Sequence, residues 1–182
     1  MSDSAVSIGL FYGSTTCYTE MAAEKIQNAL NDIFQEPVVS VFNIKETALK
    51  QCEDYDILIF GISTWDFGEL QEDWESHWED IKQLDLTGKT VAIFGLGDQM
   101  GYADWFQDAV GMLHDEVILR GCQVIGYWPN QGYEFAHSKA LTEDKQHFVG
   151  LALDDESQFD QTDARIAAWV DQLLEELQTL DA

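Results

Sequence analysis

Short apolar runs that alternate with longer amphipathic segments are the feature of this sequence that most restricts its fold. Five runs are rich in β-branched residues and nearly continuous, and they cover residues 6–12, 38–44, 57–62, 90–96 and 123–128. Strands that are covered on both faces show this pattern, because neither face meets water. The runs therefore predict a parallel sheet whose strands are joined by right-handed helical crossovers.

The segments between the runs carry apolar residues at helical spacing. The last is the clearest, because Ile166, Trp169, Val170, Leu173 and related positions keep to one face. The shortest link gives the weakest pattern, a helix at about residues 46–51. We expect an α/β fold: a doubly wound, five-stranded parallel sheet of order 2-1-3-4-5 with helices on both faces.

One segment interrupts this alternation near the end of the sheet. Residues 129–146 are polar and contain Gly, Tyr and Asn, and an apolar run then resumes at residues 148–153. This arrangement predicts that an inserted loop splits the fifth strand. No composition change marks a linker, so we expect residues 1–182 to form a single domain.

The charge balance narrows the choice of partner. Thirty-four acidic residues face nine basic ones, a formal net charge of −25. This argues against nucleic acid and anionic membranes as partners and favours basic proteins.

Cys17, Cys52 and Cys122 are odd in number and lack metal-ligand spacing, as do the histidines, so we expect reduced thiols, no bound metal and a cytoplasmic location. No basic leader segment and no apolar stretch long enough to cross a membrane is present.

A hydroxyl-rich loop follows the first predicted strand. It ends where a helical pattern opens near Glu20, and its polar residues are Ser14, Thr15, Thr16, Cys17, Tyr18 and Thr19. Backbone N–H groups at a helix start attract anions, and the nearest cation, Lys25, lies more than one turn into the helix. The loop predicts a phosphate site built from hydrogen bonds alone. The alternative is a polar N-cap cluster.

Two more unusual loops follow the third and fourth strands, at the edge where such sheets bind ligands. Trp65 and Tyr102 are large aromatic residues in turns, and together they could sandwich a flat heterocycle. Asp98 could accept a hydrogen bond from a ring imide. The alternatives are that both rings pack on neighbouring loops and that Asp98 caps a helix beginning near Ala103. Taken with the phosphate loop, these features predict a site for flavin mononucleotide (FMN).

These loops resemble the motifs of the flavodoxin family, and the resemblance covers essentially the whole chain. Residues 14–19 are similar to its phosphate motif Ser/Thr-x-Thr-Gly-x-Thr, residues 64–74 to its tryptophan loop and residues 97–102 to its tyrosine loop. Residues 126–128, 132–133 and 148–154 resemble the long-chain subgroup, whose fifth strand carries an inserted loop. The nearest pattern is the second flavodoxin of enteric bacteria and their relatives. Flavodoxin with FMN is itself the standard example of the ligand-edge rule used above.

The resemblance implies a low-potential electron carrier, not an enzyme, that binds FMN tightly and noncovalently. It implies that Trp65 and Tyr102 flank the ring and that Asp98 receives its N3 proton. Cys17 departs from the family, which usually has Gly there. The full set expected to contact FMN is Ser14, Thr15, Thr16, Cys17, Tyr18, Thr19, Thr64, Trp65, Asp66, Phe67, Gly68, Leu96, Gly97, Asp98, Tyr102 and Asp154.

An acidic run without Lys or Arg, residues 66–80, begins within the tryptophan loop. A solvated helix face is the usual meaning of such a run. Its position favours a docking role instead, since the exposed edge of the flavin should open there. We expect a monomer whose partners, a ferredoxin/flavodoxin-NADP reductase and basic-faced acceptor enzymes, dock transiently. The residues expected to receive them are Glu69, Glu72, Asp73 and Glu75.

Three other functions fit part of the pattern. An FMN-dependent quinone reductase would need an open pocket above the ring, which Trp65 and Tyr102 should fill. An acidic interaction protein without a cofactor would keep the charge but not need the aromatic pair. A response regulator would need a Lys after the fifth strand, and residues 128–130 contain none.

Overall fold

The computed structural model describes residues 5–181 and contains one large, mainly parallel sheet. The strands are β1 (Ile8–Tyr12), β2 (Val39–Asn43), β3 (Ile57–Trp65), β4 (Glu69–Leu70), β5 (Thr90–Leu96), β6 (Gln123–Ile125), β7 (Trp128–Pro129), β8 (His147–Phe148) and β9 (Leu151–Leu153). The main path of the sheet has the order β2-β1-β3-β5-β6, with β9 paired to β5 and the short β4 paired to β3. This confirms the predicted doubly wound sheet.

Helices cover both faces of this sheet. Two apolar clusters lie on opposite sides of the strands, one beneath α1 and α5 and the other beneath α2, α3 and α4. Both faces of β1 and β5 are buried, which explains their continuous apolar sequence. The helices are α1 (Tyr18–Phe34), α2 (Glu72–Ser76), α3 (Trp78–Ile81), α4 (Asp108–Leu119) and α5 (Thr162–Asp181).

The fifth strand position is split, as predicted. β6 pairs with the first half of β5, Thr90 to Ala92, and β9 pairs with its second half, Phe94 to Leu96. The predicted bounds were too long, because the first piece ends at Ile125 and the second begins at Leu151. Trp128 and Phe148 pair instead with each other in the antiparallel hairpin β7–β8.

The inserted segment packs against the domain instead of extending into solvent. The Tyr133 hydroxyl donates to the Ala152 carbonyl at 2.6 Å, and the Arg165 guanidinium lies 4.2 Å from the centre of the Tyr133 ring. Phe106 and Phe148 contact the same ring at 5.7 and 5.2 Å between centres. Aromatic packing of this kind fixes the segment beside the ligand edge of the sheet.

Two local predictions were wrong by a few residues. The helix expected at residues 46–51 is a 3-10 helix at Leu49–Asp54. The amides of Glu46 and Thr47 bond to the Asn43 carbonyl in a turn, which delays the helix. Similarly, α1 begins at Tyr18 rather than near Glu20. No helix in the described part of the chain is long and apolar enough to cross a membrane.

Candidate cofactor site

A cleft with a cavity volume of about 170 Å³ lies beyond the carboxyl ends of β1, β3 and β5. Doubly wound sheets bind their ligands at this edge. The predicted residues that line the cleft are Thr16, Tyr18, Thr19, Thr64, Trp65, Asp66, Leu96, Gly97, Asp98 and Tyr102. Ser63, Asp155 and Glu156 also line it and were not predicted. The remaining predicted residues are not among those that line it: Ser14, Thr15, Cys17, Phe67, Gly68 and Asp154.

The hydroxyl-rich loop, residues 13–19, has unused hydrogen-bonding capacity. The Ser14 Oγ is buried and has no partner. Helix α1 begins within this segment, at Tyr18, and the side chain of its N-cap residue, Cys17, makes no capping hydrogen bond. A buried hydroxyl without a partner is costly, and an uncapped helix start leaves N–H donors open. The loop therefore fits an anionic group supplied by a ligand.

Lys25, the cation nearest in sequence to the hydroxyl-rich loop, is engaged elsewhere. It pairs with Asp163 at 2.7 Å, and its ammonium lies 5.3 Å from the centre of the Phe159 ring. A phosphate site without a cation stays a prediction. Binding would depend on neutral donors and the dipole of α1.

Gln71 connects the hydroxyl-rich loop to the tryptophan loop, and the sequence did not predict this role. Its buried amide Nε2 donates to Thr15 Oγ1 and to Asp73 Oδ2, each at 3.0 Å. Its Oε1 accepts from the Asp73 and Trp74 amides and so caps α2. A Cβ on Gly13 would overlap that oxygen, which explains the glycine. The acidic first turn after Gln71 was the available sequence signal for a cap.

The tryptophan loop is a tight hairpin between β3 and β4. Trp65 pairs with Glu69, and the turn residues Asp66 and Gly68 have φ of 43° and 83°. Gly takes such angles without strain, and Asp tolerates them better than most residues. The Thr64 hydroxyl accepts from the Ala109 amide at 3.0 Å, which fixes the loop to α4. The hairpin holds the Trp65 indole in the cleft wall.

The tyrosine loop contributes Asp98 and Tyr102 to the lining of the cleft. Asp98 Oδ1 accepts from the Met100 and Gly101 amides at 3.1 and 2.8 Å, so the carboxylate closes its own turn. It does not cap the 3-10 helix Ala103–Trp105 that follows. Tyr102 is 40% exposed at the mouth of the cleft. Aromatic rings from two loops thus border one cavity.

Asp154 was predicted to contact the cofactor, and its side chain is not among those that line the cleft. It is fully buried. Oδ2 accepts from the Gln99 amide, the Gln99 side chain and the Ser157 hydroxyl at 3.0, 2.8 and 2.6 Å. Oδ1 accepts from the Glu156 and Ser157 amides. These bonds connect the tyrosine loop to the turn after β9, and so Asp154 positions the wall.

Two carboxylates that the sequence did not identify face the cleft, Asp155 and Glu156. Burial raises the pKa of Asp155 above its ordinary value, although the Thr162 hydroxyl donates to it. With Asp66 and Asp98, these side chains make the lining acidic. Any anionic group in the cleft is therefore in a field that opposes added negative charge.

The acidic run after the tryptophan loop presents a mixed surface. Glu69, Glu72 and Glu75 are exposed, while Asp73 is half-buried because it accepts from Gln71. Further along, Asp80 lies 2.8 Å from His77 Nδ1. No group of His, Cys, Asp or Glu side chains in residues 5–181 has the arrangement of a metal site.

The fold and this cleft define a doubly wound α/β protein with an aromatic-walled site at its switch point. The family model "Flavodoxin" matches residues 10–169, and the chain belongs to the flavodoxin family. It is 54% identical over 172 residues to Flavodoxin 2 of Escherichia coli K12, which covers 94% of this chain and 97% of that protein. A flavodoxin of Nostoc (strain PCC 7120) is 48% identical over 93% of this chain and 96% of its own.

A solved structure agrees with the sequence relatives. The crystal structure of Fusobacterium nucleatum flavodoxin bound to flavin mononucleotide has a TM-score of 0.85 to this chain at 29% identity. The alignment covers 93% of this chain and 98% of that one.

Proposed function

We propose that this flavodoxin binds FMN noncovalently in the cleft and carries single electrons at low potential between a reductase and acceptor enzymes. The observation that carries the proposal is the aromatic-walled cleft beside a buried, unpartnered Ser14 hydroxyl. Flavodoxins are electron-transfer proteins rather than enzymes, and the F. nucleatum relative is described as bound to FMN.

Different residues would bind different parts of FMN. Ser14, Thr15, Thr16, Tyr18 and Thr19, with the amides at the start of α1, would hold the phosphate. Trp65 and Tyr102 would cover the two ring faces and exclude water, and Asp98 would accept from the ring imide. Bound FMN supplies the one-electron chemistry, and the protein tunes it through contacts and charge.

The acidic lining supports a low potential. A carboxylate about 10 Å from the site opposes an added negative charge by about 1–2 kcal/mol at an effective dielectric near 20, before salt screening. For one electron, about 1.4 kcal/mol corresponds to about 60 mV. Asp66, Asp98, Asp155 and Glu156 all line the cleft, so their effects add.

The exposed carboxylates Glu69, Glu72 and Glu75 support transient docking of basic partners, a ferredoxin/flavodoxin-NADP reductase among them. Opposite charges speed the encounter without requiring a tight complex, which suits a carrier that must release its partner. The rate of reduction should fall as salt is raised. A rate independent of salt would contradict docking on the acidic surface.

We further propose that the protein is a monomer in the cytoplasm, where the free thiols of Cys17, Cys52 and Cys122 would stay reduced.

Titration of the apoprotein with FMN tests the proposal directly. We expect the tryptophan fluorescence to be quenched with a single site per chain, because Trp65 lines the cleft. An anaerobic redox titration of the complex should give a lowest midpoint potential below that of free FMN. Unquenched emission in excess FMN would overturn the proposal. Rapid NADPH-dependent quinone reduction by the protein alone would favour the quinone reductase.

A further inference from the structure

A second groove, with a cavity volume of about 390 Å³, lies behind the tryptophan loop and outside the cofactor cleft. We call it the lysine groove and define it by Phe67, Trp105, Lys139, Leu141 and Lys145. Phe67 follows Asp66, which lines the cleft, so a single turn separates the two cavities. The lysines come from the inserted segment between β7 and β8.

An aromatic pair forms the apolar part of the lysine groove, whose other lining residues are mainly polar or charged. Phe67 is 67% exposed, and its ring contacts Trp105 edge-on at 5.0 Å between centres. The inserted segment is bonded to the chain beside Trp105, since the Ala136 amide donates to the Ala103 carbonyl at 2.8 Å and the Phe106 amide to the His137 carbonyl at 3.2 Å. An exposed aromatic pair on a fixed backbone is typical of interaction surfaces.

The groove contains two exposed ammonium groups, in a protein with a formal net charge of −25. Lys139 and Lys145 form no ion pair among the described residues. The lining also contains two carboxylates, so its formal charges are balanced: Asp104 lies 3.1 Å from His137 Nδ1, and buried Asp108 accepts from the Lys139 amide at 2.8 Å. The two lysines are the charged side chains of the lining that have no polar partner among the described residues.

We propose that the lysine groove receives a segment of the electron-donating reductase that carries a carboxylate beside an apolar side chain. The proposal rests on the function proposed above and adds the chemistry of that partner's contact face. Two lysines beside Phe67 and Trp105 complement such a segment, while Glu69, Glu72 and Glu75 meet the basic part of the same face. Patches of opposite sign side by side fix the orientation of a docked partner, because reversing it places like charges together.

Charge reversal separates this proposal from docking on the acidic surface alone. The test variant is Lys139→Glu with Lys145→Glu. The control is Lys50→Glu with Lys82→Glu, which changes the net charge equally at exposed lysines outside the groove. With an NADPH-dependent flavodoxin reductase at low salt, we expect the test variant to lower kcat/KM for reduction by roughly tenfold. The control should equal or exceed the unmodified protein, because greater acidity alone speeds encounter with a basic partner.

Reductase affinity is measured separately by calorimetry, and FMN affinity by fluorescence. If the unmodified protein does not bind FMN, the proposed function is overturned. If the test variant and the control bind the reductase with equal affinity, the lysine groove proposal is overturned. A Lys139→Gln, Lys145→Gln variant should be intermediate if charge is the cause. Sedimentation tests the other occupant: self-association lost only in the test variant would assign the groove to a second copy of this chain and overturn the proposal.

Discussion

Two loops beside the cofactor cleft differ in how their buried polar groups are paired. In the hydroxyl-rich loop, the Ser14 hydroxyl is buried without a partner and α1 has no side-chain cap. In the turn after β9, the fully buried Asp154 carboxylate accepts from amides, an amide side chain and a hydroxyl. The first loop has a buried hydroxyl without a partner, while in the second both oxygens of the buried carboxylate are paired.

This difference separates residues that bind a ligand from residues that hold the site in shape. A buried polar group without a partner costs free energy, so it persists where something else supplies the partner. A fully paired carboxylate has no capacity for a ligand, and its effect is on the loops that it joins. Substitution should therefore affect ligand affinity at one loop and stability at the other.

Asp154→Asn should give the largest effect. The amide keeps the shape of the side chain, but its NH₂ group faces donors, so several charge-assisted bonds are lost. We expect the free energy of unfolding of the apoprotein to fall by about 3 kcal/mol, measured by urea denaturation. Asp160→Asn, at an exposed carboxylate, is the control and should leave stability unchanged. Unchanged stability in Asp154→Asn would mean that the network does not hold the wall.

Ser14→Ala should show the reverse pattern. Removal of an unpartnered hydroxyl costs the apoprotein nothing, so its unfolding free energy should stay within about 0.5 kcal/mol of the unmodified value. The dissociation constant for FMN should rise by about tenfold, because a hydrogen bond to a charged phosphate is lost. Fluorescence titration measures the affinity. Ser40→Ala, on the exposed part of β2, is the control. Equal FMN affinity in the two variants would remove Ser14 from the phosphate site.

The contrast between these loops also explains which features the sequence predicts. Strands β1 and β5 and the aromatic pair Trp65 and Tyr102 follow from local patterns. The roles of Gln71 and Asp154 do not, because Gln71 bonds to Thr15 56 positions away and Asp154 to Gln99 55 positions away. Such pairings depend on how strands align in space. Cofactor contact and loop positioning by a polar residue have the same sequence pattern, so the sequence alone does not reveal the hydrogen bonds by which Asp154 holds the wall.

A paired group away from the cleft should respond to pH with or without FMN. His114 Nε2 lies 2.5 Å from the Tyr127 hydroxyl, and burial lowers the pKa of His114, opposed by nearby Asp115. The unfolded chain therefore binds the proton more readily, so this contribution to stability is complete above about pH 6.5, the unfolded value, and is lost as the pH falls below it. In His114→Gln, urea denaturation between pH 5 and 8 should show a flatter profile. An unchanged profile would contradict this origin of the pH dependence.

Cys17→Gly should give the smallest effect and tests backbone strain within the hydroxyl-rich loop. Cys17 has φ 68°, a left-handed conformation that costs a non-glycine residue roughly 1 kcal/mol. Glycine removes that strain but loses more entropy on folding, so the net gain in apoprotein stability should be about 0.5 kcal/mol. Cys17→Ala keeps the β-carbon and its strain, and should show no gain. If alanine stabilised as much as glycine, the benefit would come from removing the thiol, and the left-handed backbone at this helix start would cost nothing.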